Sequence, residues 1–189
     1  AINTGDNALF VGLDANTEDL AGNARLYGSA IDMGAYEYQL LPDNNGVVYV
    51  KPTVTGTGTG NSWANATGNL QGAIDAANVQ KIFVAIGNYN VPSPSSFTMK
   101  NNVAIYGGFD PDNGVVNLSD TRVLPDELGS QGSILNGKNE RPVVWNVFTS
   151  STQMDNTAVL DGFVITGGKS TDGGGFYNSY ASPMLTNVV

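Results

Sequence analysis

The chain has 189 residues, 24 of them glycine; 41% are hydrophobic, only 13% are charged, and the formal net charge is -9. Such a surface repels phosphate backbones and anionic bilayers, which argues against nucleic-acid and membrane-surface binding. The lack of cysteine excludes disulfide frameworks, thiolate metal sites and cysteine nucleophiles, and no stretch approaches the roughly 20 apolar residues of a membrane span.

Residues 1–40 open without the basic and apolar regions of a signal peptide, since Ala1 to Asp6 has neither. Turn formers follow at Thr4-Gly5-Asp6-Asn7 and Ala21-Gly22-Asn23, with a short helix candidate around Thr17 to Leu20. This segment has too little apolar material for a core of its own. The chain begins without Met and stops at Val189 inside an apolar run, so it reads as a piece of something longer.

Pro42-Asp43-Asn44-Asn45-Gly46 marks a linker at 41–46, and Val47-Val48-Tyr49-Val50 then starts a strand. The Gly/Thr-rich run Thr55 to Gly60 lacks the Lys and the βαβ context of a phosphate loop. Leu70, Ala73, Ile74 and Ala77 fall at i, i+3, i+4 and i+7, the spacing of a short amphipathic helix.

Beyond the helix, apolar segments recur at multiples of twenty residues: Phe83 to Gly87, Val103 to Gly107, Val143 to Val147, Phe163 to Gly167 and Pro183 to Asn187. Their inward positions align as Phe83/Val103/Val143/Phe163 and as Ala85/Ile105/Trp145/Ile165/Leu185. Val123 to Glu127 fails the pattern, and Ser133 to Gly137 replaces it, leaving Asp110 to Gln131 as a loop insertion. The expected fold is all-β: a right-handed parallel β-helix over 47–189, begun by a helical cap, with a β-sandwich as the competing architecture.

Several stretches resemble the opening of pectin-lyase-like β-helix proteins: Asn61-Ser62-Trp63-Ala64, Leu70-Gln71-Gly72-Ala73-Ile74, Ile105-Tyr106-Gly107-Gly108-Phe109 and Leu160-Asp161-Gly162-Phe163 through Gly168. Gly173-Gly174-Gly175-Phe176-Tyr177-Asn178 through Asn187 also resembles the repeats of chlamydial polymorphic outer-membrane proteins. In residues 1–40, Asp19 to Arg25 with Ile31-Asp32-Met33-Gly34-Ala35-Tyr36-Glu37-Tyr38 is similar to a closing segment of such units, the choice-of-anchor Q domain. The resemblance implies the end of one unit followed by the start of the next, in a large surface protein of the Bacteroidetes type exported by the type IX secretion system.

Enzymatic cleavage of polysaccharide finds little support. There is no histidine, Arg25, Arg122 and Arg141 lie far apart in sequence, and Asp110, Asp112 and Asp120 sit among turn formers. Asp110-Pro111-Asp112-Asn113-Gly114 offers hard oxygen donors, so Asp110, Asp112 and Asn113 are the candidate ligands for Ca2+, without the EF-hand or nonapeptide pattern. Aromatic rings with a polar edge suit sugar faces; Tyr177 and Tyr180 are the candidate exposed pair, whereas Trp63 and Trp145 read as cap and core. Asn178 and Asn187 are candidates for polar ladders.

The expected function is therefore structural or adhesive, in a secreted or cell-surface repeat protein. Its expected partners are neighbouring modules of the same polypeptide, the secretion machinery and surface polysaccharide. The alternative is a polysaccharide-binding or polysaccharide-cleaving protein.

Overall fold

The computed structural model describes residues 5–9, 12, 14, 17–20, 25–26, 31–34, 38–126 and 131–189. The expected turn at 21–23, residues 35–37 of the closing motif, and Glu127 lie outside the described residues. Two compact units divide the chain, Ala1–Gln39 and Leu40–Val189.

In the first unit a 3-10 turn spans Asn7–Leu9, while the helix expected at 17–20 does not form: Glu18 lies in an isolated bridge instead. Buried Arg25 explains why the motif keeps its residues together. Its Nη2 donates to the carbonyls of Asp32 (3.1 Å) and Gly34 (2.6 Å), and the Asp32 carboxylate accepts the Tyr38 N–H at 2.6 Å. Charge-assisted bonds of this kind order a segment that has few apolar side chains.

Among the described residues the second unit has nine short strands, in segments rich in Val, Ile and aromatic residues that fit a pleated surface. They are β1 (Val47–Val50), β2 (Lys81–Ala85), β3 (Gly87–Asn90), β4 (Ala104–Phe109), β5 (Ser133–Asn136), β6 (Val144–Val147), β7 (Val159–Thr166), β8 (Phe176–Ser179) and β9 (Met184–Val188). One helix, α1 (Leu70–Asp75), buries Leu70, Ala73 and Ile74 and is capped by the Asn69 side chain, which accepts the Gly72 N–H. It packs beside β1.

The right-handed parallel β-helix expected from the sequence is corrected by the strand order. Seven strands make one parallel sheet in the order β1-β2-β4-β7-β5-β3, with β9 also on β7, and β6 and β8 pair separately. A closed solenoid is not shown; a seven-stranded parallel sheet of this kind fits an α/β-type fold, although helices are few. The physical reason is that the twenty-residue spacing does not set the pairing. Ile82 pairs with Ile105, Ile105 with Leu160, and Leu160 with Leu185, at unequal separations. Phe83 lies opposite Tyr106, and Phe163 opposite Ser133 and Val188, not in the expected stack with Val103 and Val143.

Two glycines let one segment serve two parts of the sheet. Gly162, at φ +87°, bends β7, so that Val159–Asp161 pairs with β4 and Phe163–Thr166 with β5. Gly87, at φ +130°, is the first residue of β3 and turns the chain from β2, which pairs with β4, into β3, which pairs with β5. A side chain is strained at such φ values.

Over β2, β4 and most of β7 both faces of the sheet are covered, whereas β3 exposes Asn88 and Asn90 and β9 is largely exposed. On one face Val48, Ile82, Ile105 and Leu160 form a row with at most 2% of each residue exposed. Burying each contributes about 1.5–3 kcal/mol. On the other, Phe83 and Phe109 stack at 4.5 Å between ring centres, with Tyr49, Trp63 and Tyr106 packed around them.

The ends of the ladder β1-β2-β4-β7-β9 differ. The outer edge of β1 is sealed by the segment from Gly60 to Thr67: Tyr49 N–H donates to Gly60, Thr67 N–H to Tyr49 and Lys51 N–H to Thr67, at 2.8–3.0 Å. Asp43 fixes the entry to this strand by accepting from Val47 N–H, Asn45 N–H and the Tyr49 hydroxyl. Burial opposes its ionisation, but those donors outweigh it and hold the carboxyl below its ordinary value. The Tyr49 phenol is pushed up to about 12, first by burial and then by Asp43. At the opposite end β9 pairs with β7, and Met184 and Leu185 are 46% and 43% exposed.

Candidate binding surface

The face with free aromatic surface is built on β6 and β8, which pair in parallel with Val144 opposite Phe176, Trp145 opposite Tyr177 and Asn146 opposite Asn178. Alternation along β6 sends Val144 and Asn146 inward, where both are buried, and leaves Trp145 half-buried on the outside. This corrects the core position expected for Trp145. A one-residue difference in register exchanges the two faces of a strand, and the twenty-residue alignment was out of step with the pairing here. Trp145 and Tyr177 stack at 4.1 Å between ring centres and 15° between planes.

Asn146 sets that register. Its Oδ1 accepts the Met99 N–H and its Nδ2 donates to Asn178 Oδ1, each at 2.9 Å. An isolated parallel bridge between Phe97 and Val144 adds a third neighbour to the row, placing Thr98 beside Trp145, and the Thr98 hydroxyl donates to the Trp145 carbonyl at 3.1 Å.

A groove of about 480 Å³ opens at this position, lined by Trp145, Arg141, Thr98, Ser95, Ser96 and Ser170 and flanked by two prolines. Ser96 donates to the Pro142 carbonyl at 2.6 Å. Arg141 pairs through Nη2 with Glu140 at 3.2 Å, while its buried Nε has no hydrogen-bond partner. The groove thus combines a flat apolar ring, several hydroxyls and a guanidinium, a set suited to holding a ligand by stacking and hydrogen bonds.

The other candidate residues lie elsewhere or are engaged in packing. Tyr180 is 57% exposed, just past β8 and at φ 50°; the ring partner of Tyr177 is Trp145. Asp110 precedes a 3-10 turn at Pro111–Asn113, where Asn113 Nδ2 donates to Asp110 Oδ2 at 2.8 Å. Asp112 instead meets the Lys51 ammonium at 3.0 Å. The two carboxylates therefore face different partners, and among the described residues no group of three or more acidic residues could hold a metal ion. Tyr89 is buried with its hydroxyl on the Ala85 carbonyl at 2.9 Å, and burial raises its pKa. Trp63 and Tyr106 pack in the aromatic cluster, Trp63 donating to the Val116 carbonyl at 3.1 Å.

Arg122 and Asp161, distant in sequence, meet at 2.7 Å with both side chains largely buried. Asn187 donates to the second Asp161 oxygen at 2.7 Å, and the guanidinium lies over the Tyr106 and Phe109 rings. Arg122 thereby pins the insertion 110–131 to β7. Sequence reasoning missed Arg141, Thr98 and the serines as groove residues. The signal that could have exposed them is the parity of Val144-Trp145-Asn146, because an inward Asn146 forces Trp145 outward.

No family model matches the chain, and the comparisons with curated proteins and with solved structures also find no match. Among the described residues no helix is long and apolar enough to cross a membrane.

Proposed function

We propose that the chain is a structural and adhesive module of a secreted or cell-surface repeat protein, exported by the type IX route that the resemblance to Bacteroidetes surface proteins implies. The observation that carries this reading is the division of labour among its aromatic and charged residues. The cluster around Phe83 and the Arg122–Asp161 pair serve packing, while Trp145 and Tyr177 present stacked rings outside. Such a surface binds rather than performs acid–base chemistry. Neighbouring modules of the same polypeptide and a surface polysaccharide are the partners this reading supplies.

The test is location. Antibodies against the chain, applied to intact cells of the native host, are expected to label the surface, and brief external protease is expected to remove the signal. Protein confined to the cytosolic fraction overturns the proposal. Polysaccharide binding, the second reading, is favoured specifically by the groove beside Trp145.

A further inference from the structure

The outer row of Thr98, Trp145 and Tyr177 runs from the bridged segment at Phe97 across β6 and β8, yet only two of its members are rings. Tyr177 covers one face of the indole. The groove is lined by Trp145 and Thr98 but not by Tyr177, so it opens on the side of the indole that Tyr177 leaves uncovered. Thr98 is small where a third ring would continue the stack. A strand spacing of about 4.8 Å leaves a slot there the thickness of one more ring.

The slot is flat on one side and polar around its rim. Ser95, Ser96 and Ser170 bring hydroxyls, and Arg141, whose side chain is 21% exposed, brings its guanidinium. Guanidinium N–H groups only donate, so a ligand that meets Arg141 must bring an acceptor oxygen. Phosphate is disfavoured by the net charge of -9. A ring with an apolar face of C–H groups and an oxygen-rich edge meets every requirement.

We infer that this slot is a sugar subsite, in which one pyranosyl residue of a polysaccharide stacks on Trp145 above Thr98 while the exposed part of the Arg141 guanidinium donates to a sugar oxygen. The inference rests on the adhesive reading and gives its partner a chemical class. Tyr177 is then a positioning residue that backs the indole, and Tyr180 takes no part.

The experiment is affinity electrophoresis of the whole 189-residue chain through gels containing xylan, laminarin, dextran or polygalacturonate, one at a time. At least one polysaccharide is expected to retard the chain. Trp145→Ala and Arg141→Met are each expected to weaken the retardation roughly tenfold or more, the scale of losing an anchoring contact. Thr98→Trp, which fills the slot without removing a group, is expected to abolish it with an unchanged circular dichroism spectrum. It guards against a Trp145 variant that simply fails to fold. Retardation by none of the four overturns the subsite. So does retardation unaffected by Thr98→Trp, and in either case surface labelling by antibody still decides the adhesive reading independently.

Discussion

Arg122 is the residue on which the long insertion depends most directly. Its guanidinium meets Asp161 at 2.7 Å and also donates to the Gly107 carbonyl at 2.9 Å, so it joins the insertion to β4 and β7 together. Removing it leaves a largely buried carboxylate with Asn187 as its remaining side-chain partner. Arg122→Ala is therefore expected to lower stability by about 3 kcal/mol, read from the midpoint of urea unfolding. A loss below about 0.5 kcal/mol would show that the pair behaves as an exposed one. The sequence displayed Arg122 only as one of three scattered arginines, because a charge pair across 39 positions leaves no local pattern. Asn146 was equally hidden: an asparagine among valines reads as a surface residue until its neighbours across the sheet are known.

Strand positions were largely legible, and strand partners were not. Val47–Val50, Ser133–Asn136 and Val144–Val147 lie in apolar segments that the hydrophobic pattern marks directly. β3, Gly-Asn-Tyr-Asn, and β8, Phe-Tyr-Asn-Ser, went unmarked because neither contains a β-branched aliphatic residue. The twenty-residue recurrence measured distances along the chain, whereas pairing depends on loops of unequal length, so it returned neither the register nor the closed coil. The bend in β7 makes the register testable. A Cβ on Gly162 would lie 3.1 Å from Leu124 Cδ2 and 3.2 Å from both Arg122 Nη1 and the Gly107 carbonyl oxygen, at φ +87°. Gly162→Ala is expected to destabilise the fold by about 1–3 kcal/mol and to lower the thermal midpoint accordingly. An unchanged midpoint would mean that β7 need not bend there.

Taken as a whole, the second unit is a ladder of parallel strands with unlike ends. The Gly60–Thr67 segment hydrogen-bonds to β1, and α1 packs beside it. At the other end, the row of Val48, Ile82, Ile105 and Leu160 finishes at Leu185 with nearly half of that residue in water. An exposed edge with apolar side chains invites strand addition. Sedimentation is expected to show concentration-dependent association of the chain, and Leu185→Lys is expected to leave it monomeric. Association undiminished by that substitution would locate the contact elsewhere. The seal over β1 was not foreseeable, because it depends on how a Gly/Thr-rich loop folds back.

Along β1-β2-β4-β7-β9, the Gly60–Thr67 segment covers one end, and β9 is bonded on one side. A strand laid on β9, from another copy or from another segment of polypeptide, lengthens that ladder in one direction only, whereas a ladder uncovered at both ends could be extended in two.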